Sequence, residues 1–135
     1  MTVTAIDHIN LSVPSAKLPD MVRFYTGIVG LEEGARPKFP FPGHWLYVQG
    51  RTAAVLHLAS YADDELALAQ PTGRFNHVCF RLRGLIEAKA RLAAAGLDYR
   101  EQRSDGGPLV QIFVRDPAGV MVELSFERAA ASPAR

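Results

Sequence analysis

The chain has 135 residues, 48% of them hydrophobic, with a mean hydropathy near zero, enough apolar material for one packed domain or two small halves sharing a core. Fifteen Lys and Arg against fourteen Asp and Glu leave a formal charge of +1, which excludes the basic footprint of a nucleic-acid binder and gives no reason to expect a membrane surface as partner. A small molecule is the expected partner. The single Cys79 forms no internal disulfide and no charged start leads into a long apolar run, so a cytoplasmic setting with no membrane span is expected.

In chain order, Ile6 to Val13 alternates apolar and polar residues as a half-buried strand does, and Pro14 stops the ladder. The segment KLPDMVRFYTGIVGLEEG places Leu18, Met21, Val22, Tyr25 and Ile28 three and four apart, which predicts a helix closing near Gly27 and Gly30. Strands are expected around Glu33 to Lys38, at HWLYVQG and at TAAVLHLASY. RFNHVCFRL then reads as a buried strand, and GLIEAKARLAAAGLDY as a helix with Leu85, Ala88, Leu92 and Ala95 on one stripe, ending at Gly96. Strands at about Tyr99 to Gln102, at LVQIFVR and at GVMVELSF follow, the last two joined by the turn DPAG.

Each half therefore reads βαβββ, and the halves superpose by offset. His8 to His77 spans 69 positions, whereas Gly30-Leu31 to Gly96-Leu97 and His57 to Glu123 each span 66, which places the difference in the strand-to-helix loop. One domain over residues 1–128 is expected, with modules at about 4–62 and 73–127 and a flexible tail at 129–135. Strand parity puts His8, His57, His77 and Glu123 on the faces opposite the aliphatic residues. A lone strand histidine is ordinarily a satisfied core or surface residue. Four such groups at equivalent repeat positions are another matter, because a partly buried carboxylate needs pairing, protonation or coordination and neutral imidazoles bring no charge. A divalent cation satisfies all four, and three nitrogens with one carboxylate suit Zn, Ni, Co, Mn or Fe(II).

The segments DHINLSV, FYTGIVGL, VLHLA, FNHVCFRL, the helix closing at AAAGL, and FVRDPAGVMVELSF resemble the vicinal oxygen chelate superfamily. It includes glyoxalase I, fosfomycin-resistance proteins, methylmalonyl-CoA epimerase and extradiol dioxygenases. The resemblance covers nearly the whole chain and is nearest to single-domain glyoxalase-I-like proteins with FPGHWLYV before VLHLA. It implies an α+β glyoxalase/bleomycin-resistance/dioxygenase fold: two tandem βαβββ modules forming a cup-shaped mixed sheet around a metal. By position, the implied ligands are His8 and His57 from one module and His77 and Glu123 from the other. A homodimer is also implied, since modules enclosing one site in short members often come from two chains.

The implied chemistry is chelation of two neighbouring substrate oxygens by a Lewis-acid metal. A glyoxalase-I-like lyase or isomerase would use Glu123 or His57 to move a proton between carbons. Glyoxalase I itself carries glutamate where His57 stands, and that departure alters the charge of the site. The alternatives are an extradiol-type Fe(II) dioxygenase built on His8, His77 and Glu123, a fosfomycin-type thiol transferase, and a non-enzymatic small-molecule-binding resistance protein.

Other residues have two readings each. Phe39, Phe41 and Trp45 in RPKFPFPGHWLYV either wall a pocket or pack a loop; His44 is a surface histidine or a ligand. Cys79 lines the cavity or is a small buried hydrophobe, and Arg74, Arg81 and Arg103 hold a substrate carboxylate or are exposed charges. DPAG is read as structural, setting the register that brings Glu123 to its face.

Overall fold

The computed structural model describes residues 1–2, 4–61, 75, 77–103 and 109–127; Arg74, residue 73 and the tail expected at 129–135 lie outside the described residues. The chain divides into two units, Met1–Phe75 and Asn76–Arg135.

In the first unit, β1 (Ile9–Ser12) leads through a short 3-10 turn at Ser15–Lys17 into α1 (Leu18–Phe24). Pro19 falls in the first turn of α1, where its missing N–H removes no helical bond. Leu18, Met21, Phe24, Tyr25 and Ile28 are buried, the three-and-four spacing of an apolar helix face. The last turn widens: Tyr25–Val29 is π-helical, with the Tyr25 carbonyl accepting from Gly30 N–H at 3.1 Å and Leu31 N–H at 2.9 Å. Next come β2 (Glu32–Gly34), β3 (Gly43–Tyr47) and β4 (Ala54–Ala59). The sheet order is β1-β4-β3-β2, with β1 parallel to β4 and the other pairs antiparallel. The second strand was expected to reach Lys38 but stops at Gly34. Beyond it Arg36 turns to donate to the Phe41 carbonyl at 3.0 Å, and Pro37 has no N–H for a ladder.

The second unit repeats this plan. Its elements are β5 (Val78–Leu82), α2 (Leu85–Ala94), β6 (Tyr99–Arg103), β7 (Leu109–Arg115) and β8 (Met121–Glu127). They form a sheet ordered β5-β8-β7-β6, again with one parallel pair, β5 and β8. Two four-stranded mixed sheets and two helices make the α+β class expected from the repeat. Val110, Ile112 and Val114 on β7 and Val122, Leu124 and Phe126 on β8 are buried on one face of the second sheet. Each such side chain contributes about 1.5–3 kcal/mol when fully withdrawn from water. On α2 the buried stripe is Ala88 and Leu92; Ala95, expected to extend it, lies past the last helical residue and is exposed. Lys89 on α2 reaches Glu101 on β6 at 2.5 Å, and this ammonium, with Arg103, holds the Glu101 carboxyl below the usual carboxylate range. Among the described residues no helix is long and apolar enough to cross a membrane.

Candidate metal centre

His8 and His77 were expected inside buried strands, and here the structure corrects the sequence reading. Each stands one residue ahead of a first strand, β1 or β5, so each is an exposed residue at the strand's entrance. Their exposure removes the burial cost that made them conspicuous in the sequence, while their equivalence between the units is retained.

In the first unit the parallel register of β1 and β4 sets Asn10 beside His57, and the antiparallel register of β3 and β4 sets Trp45 on its other side. The His57 ring is consequently sandwiched. His8 stacks on it at 3.9 Å with the planes 17° apart, and Trp45 stacks at 4.1 Å and 4°. Burial pushes the His57 pKa down from 6.5, the neighbouring His8 and then Arg36 add to that, and Asp7 partly opposes it. His57 is therefore a neutral imidazole at neutral pH, the form that offers a lone pair to a metal or a proton. His8 Nδ1 lies 2.6 Å from Asp7 Oδ2. In the neutral tautomer that donates to Asp7, Nε2 is left as the free acceptor, the carboxylate–histidine arrangement that orients metal ligands.

In the second unit, His77 Nε2 lies 2.9 Å from Glu123 Oε2. The other carboxylate oxygen, Oε1, accepts a hydrogen bond from Gln111 Nε2 at 2.5 Å. Glu123 is only 6% exposed, so both bonds matter: an unpaired carboxylate at that depth would cost several kcal/mol. The register that makes this possible is set by DPAG. Asp116 Oδ1 accepts from the N–H of Ala118 and of Val120, both at 2.9 Å, and Gly119 takes φ 86, which L side chains resist. The turn aligns Arg115 with Met121, hence Phe113 and Gln111 with Glu123 and Ser125. Beside Glu123 in the parallel register, the Cys79 thiol is pushed up by burial and then by the Glu123 charge and hydrogen bond, which keeps it protonated.

The pairs correspond closely. In each unit a histidine precedes the first strand, a second donor lies in the fourth strand, and an aromatic residue of the third strand stands directly opposite that donor, Trp45 facing His57 and Phe113 facing Glu123. Phe113 also meets the His77 ring edge-on, at 5.9 Å and 86°. The structure thus brings His8 to His57 and His77 to Glu123. Among the described residues no three His, Cys, Asp or Glu side chains form one cluster.

Of the remaining candidates, His44 pairs with Glu33 at 2.5 Å, Arg81 with Glu127 at 3.0 Å and Arg103 with Glu101 at 2.8 Å, which occupies all three with structural partners. Phe39, Phe41 and Trp45 do line a pocket, of about 230 Å³, with His57 in its wall. Sequence reading passed over Gln111, Asp7 and Arg36. Gln111 was within reach, being the polar residue that breaks the aliphatic run of LVQIFVR on the parity of Phe113; Arg36 carried no signal, because its loop has no periodicity.

A family model described as the Glyoxalase/Bleomycin resistance protein/Dioxygenase superfamily matches residues 5–124. The chain belongs to this superfamily. Members commonly use divalent metals, bind small molecules and often form dimers; many are enzymes and some are not. Solved structures of this superfamily's fold resemble the chain at low identity. A fosfomycin resistance protein, FosX, from Listeria monocytogenes has a TM-score of 0.69 at 18% identity, with 93% of this chain and 94% of that one covered. A glyoxylase/bleomycin resistance protein/dioxygenase domain from Frankia sp. EAN1pec has a TM-score of 0.68 at 19% identity, covering 96% of each chain. A virulence protein from Salmonella typhimurium has a TM-score of 0.57 at 18% identity, covering 94% and 99%. No curated protein matches the sequence.

Proposed function

We propose that this superfamily member is a divalent-metal enzyme that binds its substrate through two vicinal oxygens and isomerises it in the manner of a glyoxalase-I-like lyase. Its ligands on this reading are His8, His57, His77 and Glu123, supplied by the two units of one chain or by two copies of it in a cytoplasmic homodimer. The observation that carries the reading is the repeat of a two-donor pair at matching positions of both units, one pair containing a buried carboxylate and the other an imidazole held neutral.

The donor chemistry fits a metal such as Zn, Ni, Co, Mn or Fe(II). Three imidazoles and one carboxylate make a mixed N/O set, Asp7 orients His8, and Gln111 holds the Glu123 carboxylate from behind. A bound cation would supply Lewis acidity to the two substrate oxygens and so acidify the adjoining C–H. The proton work falls to the side chains. Glu123, a carboxylate with one oxygen fixed by Gln111 and the other shared with His77, takes the proton from one carbon and returns it to its neighbour. His57, neutral and wedged between two rings, is the second proton carrier.

A second reading has its own support. With His57 committed to the stack with Trp45, His8, His77 and Glu123 alone would supply the two-histidine, one-carboxylate set of Fe(II) oxygenases. FosX, similar in fold, suggests a third assay, opening of the fosfomycin epoxide. The test begins with elemental analysis of metal-replete protein, for which close to one ion per site is expected; below about half an ion per chain no metalloenzyme reading survives. Turnover of the methylglyoxal–thiol hemithioacetal with Zn or Ni supports the isomerase. Oxygen uptake with catechols and Fe(II), in the absence of that turnover, would replace it with the oxygenase.

A further inference from the structure

The pocket beside His57 has an unusual wall. Trp45 lies flat on His57, Phe39 sits 6.3 Å from Trp45 and stacks on Phe41 at 5.2 Å and 13°, and Phe41 meets Tyr61 at 4.8 Å. Asn10, the register neighbour of His57, donates to the Tyr61 hydroxyl at 3.4 Å and closes the circuit. All these side chains belong to the first unit. The pocket's volume of about 230 Å³ exceeds the roughly 150 Å³ that suffices for a benzene ring in an apolar protein cavity.

Among the described residues one permanent charge lines this aromatic pocket, and it is positive. The Arg36 guanidinium carbon lies 5.0 Å from the Phe39 ring centre and 5.2 Å from that of Phe41, and Nη2 donates to the Phe41 carbonyl. Its Nε is buried and has no hydrogen-bond partner. Among the described residues no acidic side chain lines the pocket. Gly43 makes the placement possible: a Cβ there would stand 2.4 Å from the Leu58 carbonyl and 2.9 Å from Arg36 Nη2. A cation bound among the rings would be repelled by Arg36, and a neutral apolar ligand would leave the guanidinium charge without a counter-charge. A flat ligand with an anionic oxygen group answers both the walls and the charge.

We infer that this pocket is a substrate subsite for an aromatic acid: the ring lies between the Phe41 and Trp45 sides, the anionic group meets Arg36, and the reacting part faces His57. The inference rests on the proposed metal enzyme for its link to catalysis, but the pocket itself needs only the first unit. Arg36 is then the residue that selects the substrate's charge, and the aromatic wall selects its flatness.

Trp45 is the chain's one tryptophan, so its fluorescence reports on this pocket directly. The full chain, metal-replete and again after chelation, is titrated with benzoate, benzyl alcohol and benzyltrimethylammonium, and metal content is measured on the same samples. Benzoate is expected to give a saturable change in both samples, benzyl alcohol a weaker one, and the ammonium none. Arg36→Gln should weaken benzoate about tenfold, the scale of one lost charge-assisted hydrogen bond, and leave benzyl alcohol where it was; Arg36→Lys should recover part of the loss. Absence of saturable benzoate binding, equal binding of the ammonium, or an Arg36→Gln effect shared by both ring probes and not relieved by Arg36→Lys would overturn the inference. Benzoate binding without metal in any sample would defeat the metal enzyme alone, and metal without benzoate binding would defeat the subsite alone.

Discussion

Gln111 holds a carboxylate that the chain cannot leave alone, since Glu123 is buried and one of its oxygens has this amide as partner. Gln111→Leu should therefore lower stability by about 1–3 kcal/mol, the penalty for an orphaned buried acceptor, and, on the proposed reading that Glu123 is a metal ligand, reduce metal affinity by roughly 10–100-fold by freeing it to rotate. Urea unfolding and a zinc titration read the two effects separately. His57 makes a prediction in pH. Its folded pKa is depressed below 6.5, so as pH falls through 6.5 the unfolded chain takes up a proton that the folded chain refuses. The metal-free protein should lose stability from about pH 6.5 down to the folded pKa and level off below it, whereas His57→Phe, which keeps a ring against Trp45, should flatten that segment of the curve. At this scale strand parity carried most of what could be read from the sequence. It put Glu123 and His57 on the parity opposite the aliphatic residues of their strands, and the same parity applied to β7 would have found Gln111. Arg36 was beyond reach because it acts through a loop folding back on Phe41, a three-dimensional closure with no periodic trace.

At the scale of elements, the turn between β7 and β8 does the positioning. Asp116 is 4% exposed and ties two backbone N–H groups with one side-chain oxygen, so Asp116→Ala should cost about 1–3 kcal/mol and lower the melting temperature. A structural role predicts more than instability: where the variant still folds, the loosened register should also weaken metal binding through Glu123, which a zinc titration below the melting transition would show. The types and order of elements were legible, because alternation of two and spacing of three and four separate strand from helix. Their limits were less so. The first strand was expected from Ile6 yet begins at Ile9, and the fifth was expected from Arg74 yet begins at Val78. Both start where parallel pairing with the fourth strand of the unit begins, at Ile9 opposite Leu56 and Val78 opposite Val122, and a pairing partner 47 or 44 residues away leaves no mark on local sequence.

Across the molecule, the two units share one topology, β1-β4-β3-β2 and β5-β8-β7-β6, and carry donors at corresponding places in it. The internal offset of the sequence was enough to expect that duplication, since a repeat preserves pattern even where identities differ. What it could not convey was the asymmetry. One unit has a stacked, neutral imidazole beside an aromatic pocket, and the other has a buried carboxylate fixed by an amide; on the proposed reading the first unit binds the substrate's flat part, and Glu123 of the second carries the proton with His57 as its counterpart. The claim on which this division depends is that the two pairs serve one metal site. Zinc-binding stoichiometry of the full chain and of two double variants, His8→Ala with His57→Ala and His77→Ala with Glu123→Gln, tests it most directly. The account predicts that the parent binds a single class of tight zinc and that either double variant abolishes all of it; tight zinc retained in full or by half after loss of one pair would contradict it.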